Sequence, residues 1–174
     1  KAKHHLKKAG LDRLEVKLSA ADAAFVGAVD AAVLFQASAD AAGISLTPVR
    51  EPNDGYWSDV WMQVPFCMSY WGGRPTADQM LSIAYESTSS YNDTRWSNER
   101  FDSLLKEARA LLDEEKRREI YWECQALIHE DGGAMIPMFG DYLDAVSTEL
   151  RGVKPHAMFN LMGARMAEKV WFDA

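Results

Sequence analysis

The chain has 174 residues, of which 48% are hydrophobic and 26% charged, as is typical of a globular protein of one domain. Its formal net charge is -7, which argues against bulk nucleic-acid binding, because that activity requires a basic surface. The sequence contains no run of about 18 apolar residues that would predict a membrane span. Its two cysteines, Cys67 and Cys124, lie in apolar patterns that favour buried thiols over a disulfide.

The first residues, KAKHHLKKAGL, look like the end of a helix that Gly10 terminates. Lys7 and Lys8 occupy its last turn, where cations stabilise the helix dipole. We therefore expect the chain to be part of a longer protein.

The next segments predict a strand–helix–strand unit. Residues 14–18 and 44–49 have the composition and alternation of β-strands. Residues 22–42 are rich in alanine and predict a helix that Gly43 ends. The apolar face of that helix is expected at three valines: Val26, Val29 and Val33. A crossover of this length predicts that the two strands are parallel neighbours in one sheet.

Two aromatic segments follow. Asn53-Asp54-Gly55 predicts a turn or the cap of a short helix, which would hold Tyr56, Trp57, Val60 and Trp61. Residues 63–71 predict a third strand, and Gly72-Gly73 ends it.

The second half of the chain predicts three helices and then short strands. The first helix is expected at residues 76–85 with Thr76 as its N-cap, and residues 87–97 form a polar loop. Longer helices should begin at Asn98 and after Asp113. Their apolar faces are Phe101, Leu104, Leu105, Ala108, Leu111 and Leu112 on one, and Ile120, Cys124, Leu127 and Ile128 on the other. Short strands are predicted at residues 134–139 and 142–147, with a final strand near Val170.

The sequence gives no support for catalysis. His129-Glu130 lacks the second histidine of the HExxH zinc motif, and no phosphate-binding loop, GxSxG or GxGxxG motif is present. No nucleophile, base and orienting group can be named together. We therefore expect no enzyme activity, no cofactor and no metal site.

The order of three segments resembles a known family. "FQASADAAGISLTPVREPNDGYWSDVW", "SYWGGRPTADQML" and "YNDTRWSNERFDSLLKEARALLDEEKRREIYWECQALIHEDGGAMIPMF" are similar to the extracytoplasmic solute-binding proteins of family 5, which serve ABC transporters for peptides, nickel and some opines or sugars. The resemblance covers the chain from about Leu6 onward and corresponds to the C-terminal part of such proteins.

The resemblance implies an α/β fold of the type II periplasmic binding proteins, with residues 1–174 as one C-terminal lobe whose mixed sheet is flanked by helices. It also implies capture of a peptide or peptide-like solute in a cleft between two lobes. The implied partners are the N-terminal lobe of the same chain and permease subunits at the inner membrane, and the implied location is the periplasm.

The ligand-binding residues that the resemblance implies are Met68, Tyr70, Trp71, Gly72, Gly73, Arg74 and Trp96. Peptide-binding members carry a W-x-x-D motif whose Asp pairs with the peptide amino group, whereas this chain has Trp71-Gly72-Gly73-Arg74. The position of that Asp corresponds to Gly73 or Arg74, depending on the gap in the alignment. An arginine there favours a carboxylate, to which it can donate two parallel hydrogen bonds. The alternative is a surface arginine after a turn, paired with Asp78.

Three other functions stay open at this point. The chain could belong to a sensor or chaperone-like relative that binds a solute without transport. A hydrolase would require a catalytic cluster that the sequence does not show, and a pure protein-interaction domain would lack a cleft lined for a ligand.

Overall fold

A computed structural model describes residues 1–156 and 158–173. It divides the chain into two compact units, Lys1–Trp71 and Gly72–Ala174. The sequence-based expectation that residues 1–174 form one lobe stays a prediction.

The first unit contains the predicted strand–helix–strand arrangement. Its elements are α1 (Ala2–Lys8), β1 (Leu14–Ala20), α2 (Ala28–Ala41), β2 (Ile44–Arg50) and a π-helical turn (Tyr56–Val60). The two strands are parallel along their whole length, from Leu14 opposite Ile44 to Ala20 opposite Arg50. The predicted parallel pairing is therefore confirmed.

The buried face of α2 matches the predicted one only at Val29, which is partly buried and packs against the core. Val26 precedes the helix and is 96% exposed, and Val33 is 51% exposed. Alanines spaced on one helical face are buried instead: Ala28, Ala32 and Ala39. Small side chains let the helix lie close to the sheet, where Leu18 and Leu46 complete the core.

The third strand predicted at residues 63–71 is reduced to one parallel bridge. Gln63 and Val64 donate their N–H groups to the carbonyl of Val60, so the chain continues its helical turn there. Only Cys67 pairs in strand fashion, opposite Ser19. The prediction of a full strand is wrong, because local helical hydrogen bonds take the donors that a strand would use.

The second unit is mainly helical. Its elements are α3 (Ala77–Tyr85), α4 (Glu99–Ala110), α5 (Glu114–Asp131), β3 (Leu150–Arg151), a short turn with left-handed residues (Asn160–Ala164), a 3₁₀ turn (Met166–Glu168) and β4 (Trp171–Phe172). The two predicted N-caps, Thr76 and Asp113, are confirmed, since each side chain accepts a backbone N–H from the first turn of its helix. Asn98, where the sequence pattern places the start of the next helix, caps α4 in the same way.

The core of this unit lies between α4 and α5. Its buried side chains are Phe101, Leu104, Leu105, Ala108, Cys124 and Ile128. Leu111, Ile120 and Leu127 are only partly buried. Leu112 is 95% exposed, because α4 has ended before it and its side chain leaves the apolar face.

The strands predicted at residues 134–139 and 142–147 are not present. This segment has no regular structure, and none of the described residues pairs with it in strand fashion. The antiparallel pair is β3–β4 instead, which confirms the final strand predicted near Val170. The described residues therefore form two separate two-stranded sheets and not the expected single mixed sheet, while the α/β class itself is confirmed.

Candidate ligand-binding segment

A buried polar group lies at the carboxyl ends of β1 and β2. The Tyr56 side chain is buried, and its hydroxyl lies 2.7 Å from the carbonyl oxygen of Met68 and 3.3 Å from that of Ser19. The Ser19 hydroxyl donates to Glu51 Oε1 at 2.8 Å. Because α/β proteins place ligands beyond the carboxyl ends of their parallel strands, this end of the unit is a candidate site.

Tyr56 holds the incoming segment in place. Burial is the largest cause that raises the pKa of its phenol, and Cys67 and Glu51 raise this pKa further. The hydroxyl therefore keeps its proton and donates to the backbone. The Ser19 N–H also donates to the carbonyl oxygen of Phe66 at 3.1 Å, and the Met68 N–H donates to the carbonyl oxygen of Ser19 at 2.8 Å. These hydrogen bonds hold residues 66–68, from which the chain continues to the candidate ligand-binding residues.

The predicted site residues of the first unit differ in exposure. Met68 is partly buried and packs against the core, so it supports the segment. Trp71 is partly buried. The Tyr70 side chain is 60% exposed and is the most accessible of the three.

Tyr70 belongs to an aromatic group that the sequence analysis did not assign to the site. Its ring lies 5.7 Å from that of Trp57 at 73°, and Trp57 lies 5.9 Å from Trp61 at 74°. We call Trp57, Trp61 and Tyr70 the aromatic corner. The two tryptophans lie four residues apart in the sequence, a spacing that brings side chains together on one face of a helix, and this was the signal available in the sequence.

The glycines before Arg74 are not required by backbone geometry. Neither Gly72 nor Gly73 has a positive φ, and a Cβ on Gly73 would meet no atom within 4 Å. Arg74 folds back over both, and its Nη1 donates to the carbonyls of Gly72 at 2.8 Å and Gly73 at 3.2 Å. The arginine therefore covers the turn that precedes α3.

Arg74 also lines a polar cavity of about 690 Å³ within the second unit. The cavity lies between α3, the loop at residues 86–90 and the end of α4. Its wall includes the carboxylates of Asp78 and Glu86 and the guanidinium of Arg109. The cavity is open to solvent, and its charged side chains converge on a space that a polar solute can reach.

Arg109 organises the charges in this cavity. Its Nε lies 2.9 Å from Asp78 Oδ1, and its Nη2 lies 3.8 Å from Glu86 Oε2 and contacts the Ser82 hydroxyl. The sequence analysis considered Asp78 only as a partner for Arg74. The Arg109–Asp78 pair was not predictable, because 31 residues separate the two partners along the chain.

Trp96 is placed in the core of the second unit. Its side chain is 9% exposed, its ring packs edge-on against Phe101 at 5.1 Å, and its indole N–H donates to Asp131 at 3.0 Å. The buried Asn92 side chain donates to the Trp96 carbonyl at 2.7 Å. The loop at residues 87–97 is thus held by its own polar side chains.

The described residues were compared with the requirements of a metal site and of a membrane-spanning helix. Among residues 1–156 and 158–173, no cluster of three or more histidine, cysteine or acidic side chains is arranged to hold a metal ion. In the same part of the chain, no helix is long and apolar enough to cross a membrane.

Comparisons by sequence find no relative. No family model matches the chain, and no curated protein matches it.

Comparison of structures gives several neighbours. HbpA2 from Haemophilus parasuis is 17% identical with a TM-score of 0.65, over 75% of this chain and 27% of that one. The ABC transporter-associated periplasmic binding protein DppA from Helicobacter pylori, in complex with the peptide STSA, is 20% identical with a TM-score of 0.62, over 75% and 27%. MoaA from A. tumefaciens R10, in complex with mannopinic acid, is 24% identical with a TM-score of 0.61, over 72% and 27%.

The chain therefore spans about a quarter of the length of these neighbours. At these identities the likeness shows the fold alone. The chain has the α/β fold of part of a type II periplasmic binding protein, which confirms at the level of fold the resemblance seen in its sequence.

Proposed function

We propose that the chain is part of the substrate-binding component of an ABC importer. The component captures a peptide or peptide-like solute in a cleft between two lobes and delivers it to permease subunits at the inner membrane. It acts in the periplasm, and it binds without chemical turnover.

The fold likeness carries this proposal. The neighbours include a periplasmic binding protein in complex with a peptide and another in complex with mannopinic acid. The likeness extends over about three quarters of this chain, at TM-scores above 0.6. Because the chain spans about a quarter of each neighbour, the proposal requires a longer protein that supplies the other wall of the cleft.

The ligand wall in this proposal is residues 68–74. The segment begins where Tyr56 and Ser19 fix Met68 at the carboxyl end of β1, which is a usual place for ligands in α/β folds. Met68 supports it from the core, Tyr70 and Trp71 provide aromatic surface, and Gly72 and Gly73 leave room beside the backbone.

Arg74 is proposed to bind a carboxylate of the solute. It lies at or next to the position of the acidic residue in the W-x-x-D motif, and it lines a polar cavity with Arg109. The Asp78 carboxylate has its own partner in Arg109, at 2.9 Å. A charge-assisted hydrogen bond from a guanidinium to a carboxylate is stronger than a neutral one, so Arg74 would select acidic or carboxylate-bearing solutes.

Trp96 has an indirect part in the proposal. Its burial and its bond to Asp131 suit a residue that holds the loop at residues 87–97, whose Thr88, Ser89 and Ser90 line the cavity. We therefore propose that Trp96 positions this loop.

Native mass spectrometry of the longer protein, purified quickly and without dialysis, tests the proposal. A captured solute should appear as a defined mass increment that is lost on denaturation. The increment should be a peptide or peptide-like compound with a carboxylate. A protein that carries no solute, and that also fails to bind any member of a di- to pentapeptide library, would contradict the proposal.

A further inference from the structure

The aromatic corner has the geometry of a cation-binding surface. Trp61 and Tyr70 each stand nearly perpendicular to Trp57, at 74° and 73°, with centroids 5.9 and 5.7 Å from it. Trp57 is 40% exposed and Tyr70 60% exposed, so aromatic surface is open to solvent. Ring faces carry negative electrostatic potential, so the solvent-exposed parts of these rings can attract a cation.

The stretch of sequence that carries the aromatic corner is acidic. From Glu51 to Gly73 the chain has three carboxylates, those of Glu51, Asp54 and Asp59, and no lysine, arginine or histidine. Asp59 lies between the two tryptophans in sequence and is exposed, and it accepts a hydrogen bond from Ser58 at 2.7 Å. This local field attracts cations and gives no advantage to a neutral apolar group.

The backbone holds the two tryptophans in place. Left-handed residues stand on both sides of the π-helical turn, Gly55 at φ 75° and Met62 at φ 61°. Below the turn, the buried Tyr56 side chain packs edge-on against Trp57 at 5.5 Å and bonds to Met68. Turns of this kind and non-glycine residues in the left-handed region are frequent at functional sites.

We propose that the aromatic corner binds a cationic group of the solute, an alkylammonium or a guanidinium. The inference rests on the proposed function in one respect, that the cation belongs to the captured solute.

Choline and 3,3-dimethyl-1-butanol are the probes, because they share a shape and differ in charge. The 174-residue chain is titrated with each at constant ionic strength, and the indole N–H signals of its tryptophans are followed by NMR. We expect choline to shift the Trp57 and Trp61 signals and to bind about fivefold more tightly than the neutral alcohol, in line with a partly exposed cation–π contact. The Trp122 signal, from a 74% exposed tryptophan on α5, serves as the internal control.

Two substitutions of Tyr70, to Phe and to Leu, form a matched pair. Tyr70 is exposed, so both variants should fold. Tyr70→Phe keeps the ring and should keep the preference for choline, whereas Tyr70→Leu should reduce it severalfold. Asp59→Asn should also reduce the preference for choline over the neutral alcohol. Equal affinity for both probes, or an unchanged preference in Tyr70→Leu, would overturn the proposal. The titration requires no transported solute, so either result is independent of the search for a co-purified ligand.

Discussion

The helix pair α4–α5 and the segment at residues 134–147 both carry clear apolar patterns, yet only the helix pair is folded as its pattern predicts. In α4 and α5 each backbone hydrogen bond is made within the helix, and the two apolar faces bury each other. The segment at residues 134–147 contains two short apolar runs that predict strands, but a strand needs a neighbour for its backbone groups. Large side chains therefore stay exposed there, including Phe139 at 91% and Leu143 at 85%.

The largest expected contrast is between two leucines. Leu104→Ala should lower the free energy of unfolding by about 2–5 kcal/mol, because it leaves a cavity at a side chain that is 1% exposed. Leu143→Ala removes the same atoms from an exposed position and should change stability by less than about 0.5 kcal/mol. Urea unfolding followed by tryptophan fluorescence measures both. Similar losses would show that residues 134–147 are packed as well as the helix pair.

A smaller contrast concerns two aspartates. Asp113 Oδ1 accepts the N–H groups of Glu115 and Lys116 at 3.0 and 3.2 Å, so Asp113→Ala should cost about 1 kcal/mol. Asp113→Asn keeps the acceptor and should recover most of this loss. Asp141→Ala, in the exposed segment, should be nearly neutral. If the two alanine variants lose the same stability in thermal unfolding, the cap does not stabilise α5.

The smallest expected effect is a pH dependence from the helix interface. Burial is the main cause that raises the pKa of Cys124 to about 11 in the folded protein, against about 8.5 when unfolded. The thiol therefore contributes stability that is complete below the unfolded pKa and is lost as pH rises toward the folded pKa. Wild type should lose on the order of 1 kcal/mol more than Cys124→Ala between pH 8.5 and 9.5. Parallel pH profiles of the two proteins would contradict this placement of Cys124.

Local rules predicted much of the fold. The caps at Thr76 and Asp113 and the parallel pairing of β1 with β2 depend on side chains and crossover length that are visible in the sequence. The face of α2 was not predictable in this way, because close packing favoured alanines over the larger Val26 and Val33.

The assignment of the ligand-binding residues stays a prediction. The aromatic and glycine residues at 68–74 stand out in the sequence, and Arg74 does line a cavity. The Arg109–Asp78 pair and the polar contacts of Tyr56 join residues far apart in sequence, so no local pattern indicates them. Trp96 resembled an exposed aromatic residue in a polar loop, and only its contacts with Phe101 and Asp131 reveal its burial.

The central claim is that Arg74 selects the carboxylate of a captured solute, and one titration tests it most directly. Trialanine and its C-terminal amide are titrated by calorimetry into the longer protein as wild type and as Arg74→Ala, with Arg13→Ala as a control for loss of an exposed arginine. We predict that Arg74→Ala weakens the binding of trialanine by about 1.5–3 kcal/mol, which is the scale of a hydrogen bond to a charged group. The binding of the amide should change much less. Equal losses for the two peptides, or no loss for either, would contradict it.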